Sequence, residues 1–154
     1  RLINRLSLCS IIFCMLWIAV AGLWWINSAT RIPEADQAFL YGGASYFIDG
    51  NYAFLNPNGG YFALCPHQLP LVALMEGLFR IVGQLNYYAY QILNVCFTVG
   101  VVLFGWLFIR EKSKTLLASV AYAVLIANCF PLFFYTSWVY GEIPCLFFSF
   151  MAAW

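Results

Sequence analysis

Residues 6 to 27, LSLCSIIFCMLWIAVAGLWWIN, carry no charged side chain. No other feature limits the fold of this chain so sharply. About 20 apolar residues in a helix rise roughly 30 Å, the thickness of a bilayer's hydrocarbon core. A helix also satisfies its own backbone polar groups where no water is present. Arg1 and Arg5 precede the run, while Trp24 and Trp25 lie near its far end, where amphipathic rings suit the membrane surface. The run is too long for the core of a secretory signal, and no convincing small-residue cleavage pattern accompanies it.

The pattern recurs along the chain. Residues 87–109 form a second expected span, 115–135 a third, and a fourth begins at Ile143 and continues to 154. Only 8% of the residues are charged, where a soluble domain has about 25%. Seven basic residues at a net charge of +1 cannot track a phosphate backbone, which removes nucleic acid as a partner. The six cysteines include no CxxC pair, and four sit inside apolar runs, so neither zinc nor a disulfide framework is expected. The expected fold is all-α: polytopic transmembrane helices in one domain, with a long loop over 28–86. The chain begins without Met and stops inside the apolar run FFSFMAAW. It is therefore read as the N-terminal part of a longer protein, not expected to act alone.

Polar chemistry concentrates in residues 31–71, RIPEADQAFLYGGASYFIDGNYAFLNPNGGYFALCPHQLPL. Three of the six carboxylates (Glu34, Asp36, Asp49), four of the six prolines and the single histidine, His67, lie there. A helix is expected from Asp36 to Phe47, with turns at Asp49-Gly50-Asn51 and Asn56–Gly60. A second helix follows Pro70 and ends at Val82. Its length of about 13 residues gives roughly 20 Å, too short to cross. Glu76 and Arg80 stand four apart and can pair, so a membrane-surface helix is the expectation. If it does not cross, Arg110, Lys112 and Lys114 join Arg1 and Arg5 on the cytosolic side, as the positive-inside rule requires. Loop 28–86 and the short segment 136–142 then share the outer face.

Asp36 comes soon after the first span. A carboxylate there can take a proton from an incoming nucleophile while the leaving group stays on a lipid carrier; it can equally serve as a helix N-cap. Glu142 opens the fourth span. An acid at the lip of a membrane helix is costly unless solvated, paired or metal-bound. With Asp36 it can hold a divalent cation through oxygen ligands or divide acid and base duties; alone, it is a favourable first-turn Glu. Arg31, Arg80 and His67 are candidates for phosphate recognition, with headgroup anchoring and an ordinary loop position as the plainer alternatives. Tyr61 belongs to a dense aromatic set, with Tyr41, Tyr46, Tyr52 and Phe54, able to stack on a sugar ring or to form an interfacial belt. Gln91 and Asn94 can line a cavity or join helices. No Gly-rich phosphate loop, HExxH or GxSxG occurs, leaving cytosolic nucleotide chemistry without support.

In this order the features resemble the GT-C class of polytopic glycosyltransferases, in particular the protein mannosyltransferase and lipid-A aminoarabinose transferase group. The resemblance is carried by Ala35-Asp36-Gln37, Ala44-x-x-Phe47-x-x-Gly50-x-Tyr52, Gly60-Tyr61-Phe62 and Pro66-His67-Gln68-Leu69-Pro70-Leu71. Gly83, Tyr90-Gln91-x-x-Asn94 and Tyr140-Gly141-Glu142-Ile143-Pro144 continue it. The chain departs from the mannosyltransferase pattern at Gln37, where an acidic residue stands, and at Gln68-Leu69, which breaks a proline doublet. The resemblance implies transfer of a sugar from a polyprenyl-phosphate donor to a lipid, glycan or protein acceptor, on the outer face of the plasma membrane. Asp36 would activate or orient the acceptor and Glu142 would assist, with a divalent metal ion as the cofactor to consider. A transporter or flippase gated by the loop, or a noncatalytic assembly protein, are the alternatives. Inverted repeats and broken helices would favour transport, and neither is visible in the sequence.

Overall fold

The computed structural model describes residues 2–29 and 31–154, with the side chains of 2–4 excepted. Arg1 lies outside the described residues. Among them no strand occurs, and eight α-helices follow in order: α1 Leu2–Ala29, α2 Asp36–Ile48, α3 Tyr61–Leu64, α4 Leu69–Val82, α5 Tyr87–Lys112, α6 Leu116–Ala127, α7 Phe130–Phe134 and α8 Glu142–Ala153. Two compact units result. One comprises Arg1–Thr30, Ile92–Ser137 and Glu142–Trp154; the other comprises Arg31–Gln91 with Trp138–Gly141.

The first unit is built from apolar helices. α1 from Arg5 onward and α5 are each long and apolar enough to cross a membrane, and α6 with Phe130–Ser137 makes a third if its two pieces act as one span. Pairings along α1 give the helix directions. Near its start, Ser7 accepts the Trp106 indole N–H at 3.1 Å, and near its end Gly22 packs on Val95. α1 and α5 are therefore antiparallel. Trp17 donates to the Ala127 carbonyl at 3.3 Å, and Trp25 to that of Phe134 at 3.3 Å, so α6 and α7 run parallel to α1. Phe97 meets Phe148 and Phe104 meets Trp154, which sets α8 parallel to α5. Arg5, Arg110, Lys112 and Lys114 consequently share one end of this unit. The chain leaves at the opposite end after α1 and returns there into α5.

Ile11, Cys14, Ile18, Val102, Trp106 and Tyr122 form the core of this unit. Two hydroxyls inside it are paired: that of Tyr122 donates to the Val101 carbonyl at 2.9 Å, and that of Thr98 to the Asn94 carbonyl at 2.9 Å. Such pairing is what an apolar surrounding demands. Gly105 makes the first of these possible, since a Cβ there would stand 2.0 Å from the Tyr122 oxygen. Outward, Phe13 and Leu125 are 74% and 71% exposed. A large bare apolar face suits hydrocarbon better than water.

The expected single span over 115–135 is broken. α6 ends at Ala127, α7 begins at Phe130, and the two segments meet at 52°. Asn128 turns its side chain back onto the Val124 carbonyl at 2.8 Å, and Pro131 opens α7. Proline lacks the N–H a continuous helix would need and its ring clashes with the preceding turn.

The second unit gathers residues 31–91 with Trp138–Gly141 around the helices expected in the polar stretch. α2 carries an inward stripe of Gln37, Leu40, Ala44 and Phe47 at helical spacing. α4 answers with Leu71, Val72, Met75 and Phe79, and Phe62, Tyr90 and Val139 complete a core between them. The apolar face of α4 is thus spent on α2. The Glu76–Arg80 pair forms as expected, at 2.6 Å on the exposed side. Beyond α4, Gln84 bridges Ser45 and Asp49 at 2.8 Å each, and the Tyr41 hydroxyl donates to the Leu85 carbonyl, which fastens the turn back to α2.

Candidate functional site

α2 begins with Asp36, and the approach to it is unusual. Ala35, in the cap position, has φ 50° and ψ −126°, a left-handed region that costs a residue with a Cβ of order 1 kcal/mol or more. No side chain caps the helix there. The N-cap reading of Asp36 therefore fails: the carboxylate belongs to the first helical residue and is exposed. Backbone bonds from Gln37 N–H to the Glu34 carbonyl (3.1 Å) and Ala38 N–H to the Ala35 carbonyl (3.0 Å) close the first turn.

The group facing Asp36 is Tyr61. Its ring stacks on Phe39, one turn along α2, with centroids 4.6 Å apart and planes 11° apart. Phe62 meets it edge-on at 5.2 Å. Gly60 precedes it and passes so close to Phe54 that a Cβ would lie 2.4 Å from that carbonyl oxygen, so α3 can start only from glycine here. Held in this way, the phenol is pushed up to about 12, first by burial, then by its hydrogen bond to Asp36 and the carboxylate's charge, with smaller contributions from Cys65. It stays protonated at any physiological pH.

The other sequence candidates are placed elsewhere. The Arg31 guanidinium lies 3.6 Å over the Trp138 ring, and Trp138 in turn stacks on Tyr140 at 5.8 Å. Arg80 is taken up by Glu76. His67 stands exposed in the turn Pro66–Gln68. Glu142 is exposed at the first position of α8, in the first unit, where an acidic group meets the favourable end of the helix. Among the described residues no three His, Cys, Asp or Glu side chains gather to hold a metal ion.

The residue that sequence reasoning passed over as a site member is Gln37. It is buried, and its Oε1 accepts the Val139 amide N–H at 3.0 Å. Its signal was present: Gln37 falls on the inward stripe of α2, in register with Leu40 and Ala44, where a polar side chain must find a partner.

No protein family, curated protein or solved structure matches this chain.

Proposed function

We propose that this chain is part of a membrane glycosyltransferase that moves a sugar from a polyprenyl-phosphate donor to an acceptor, with Asp36 as the proton acceptor. The observation that carries this reading is the presentation of Asp36. An exposed carboxylate opens a helix behind a strained alanine, near enough to the Tyr61 phenol to help raise it to about 12 and beside the stacked rings of Tyr61 and Phe39. Such a group can take the proton from an acceptor hydroxyl or amine as its lone pair bonds to the anomeric carbon. The bond from that carbon to the phosphate oxygen breaks, and the electron pair leaves with the polyprenyl phosphate. The donor's lipid tail calls for an enzyme anchored in the same bilayer, for which the apolar helices of the first unit are suited.

The arrangement of charge supports an orientation. Four described basic residues lie at one end of the first unit, and the positive-inside rule assigns that end to the cytosol. Residues 31–86 then leave and return on the outer face, in a multi-pass protein of the plasma membrane. The test of the reaction is Asp36→Asn in the full-length protein, at matched expression, assayed for sugar transfer from a polyprenyl-phosphate donor. A loss of at least about a hundredfold in kcat is expected for removal of a general base, and full activity sinks the mechanism.

One observation favours a second reading. The break between α6 and α7 is of the kind that transporters use to expose backbone groups to a substrate. Uptake of a lipid-linked sugar into vesicles without formation of a glycosylated product would select transport.

A further inference from the structure

Asp36 is exposed, but the residue after it is 5% exposed and committed to a distant partner. Burying the Val139 amide without an acceptor would cost the desolvation of that group, so the bond from Gln37 decides where Val139 sits. Two further groups grip the same segment. Arg31 lies against Trp138, and the fully buried Tyr90 donates its hydroxyl to the Tyr140 carbonyl at 3.0 Å. Arg31 and Gln37 bracket Asp36 in the chain, and between them Ala35 holds its left-handed backbone. The neutral amide is also the right group chemically. A carboxylate in its place would bring a charge into the core with no cation among its described contacts.

We propose that Gln37 is a positioning residue for Asp36: its buried amide fastens Trp138–Gly141 to the first turn of α2, and this attachment keeps the Asp36 carboxylate in its working direction. The proposal rests on the reading of Asp36 as proton acceptor. Asp36 and Gln37 are consecutive in one hydrogen-bonded turn, so a shift of one carries the other. Misplacement of a reacting group by about 1 Å can cost on the order of a hundredfold in rate.

The test uses the full-length protein in lipid nanodiscs with Gln37→Met, which removes the acceptor at similar volume, and Gln37→Asn, which stays polar but withdraws the acceptor by one methylene. Hydrogen exchange over 138–141 should run roughly tenfold faster in both variants, the equivalent of one lost hydrogen bond. Sugar transfer should lose about tenfold or more in kcat with KM held within about twofold, the split expected when geometry rather than binding is damaged. Unchanged exchange in both folded variants overturns the tether. Faster exchange with unaltered kcat overturns the positioning role. A wild-type protein that transfers no sugar fails the functional reading and takes the positioning role with it, while the exchange result still decides the tether.

Discussion

At Tyr61, burial comes first and the Asp36 carboxylate second in raising the phenol to about 12 from its ordinary value of 10.0. The folded protein therefore holds this proton more tightly than the unfolded chain does. Stability from the pair is fully present below pH 10 and is lost as pH climbs towards 12. Tyr61→Phe should flatten that loss. Thermal unfolding followed from pH 8 to pH 12 is expected to show wild type and variant converging at the alkaline end; parallel curves would mean the phenol is not held. Asp36 and Tyr61 were each legible as candidates, the one as a carboxylate beside a span and the other as an aromatic in a polar stretch. Their pairing was not, because it depends on Phe39 and Phe62 clamping the ring. Arg31 and Arg80 were legible as cations outside the spans, but their partners, Trp138 and Glu76, differ in kind. The second lies one helical turn away and could be read directly; the first is reached only by folding.

Among the helices, α4 separates what pattern shows from what packing adds. Its limits and its Glu76–Arg80 pair follow from spacing, since both are local. What its apolar stripe faces does not follow, because lipid and a neighbouring helix offer the same apolar surface. Burial of Met75 against α2 makes a sharp expectation. Met75→Ala should cost about 2–5 kcal/mol through the cavity it leaves, while Glu76→Ala should stay within about 1 kcal/mol, as exposed ion pairs do. Denaturant titration in mild detergent measures both; equal small effects would mean that Met75 is not buried against α2. The kink after α6 teaches the same lesson in reverse. Pro131 was visible, but the apolar composition on both sides concealed that Asn128 would turn back and end the helix.

Across both units, the directions of α1, α5, α6 and α8 make the charge distribution a testable topology. In a background with the native cysteines replaced, a cysteine at Asn58 should react with an impermeant thiol reagent added outside intact cells, and one at Ser113 only after permeabilisation. Both reacting from one side would overturn the orientation. Helical class, the two long spans and the segregation of charge were readable in the linear chain, because hydrophobic transfer and hydrogen-bond satisfaction in lipid act on contiguous residues. The compact second unit, the phenol on Asp36 and the amide link between Gln37 and Val139, 102 positions apart, came from packing. Those contacts join segments with no local reason to meet, and their free energy exists only once a shared core has brought them together.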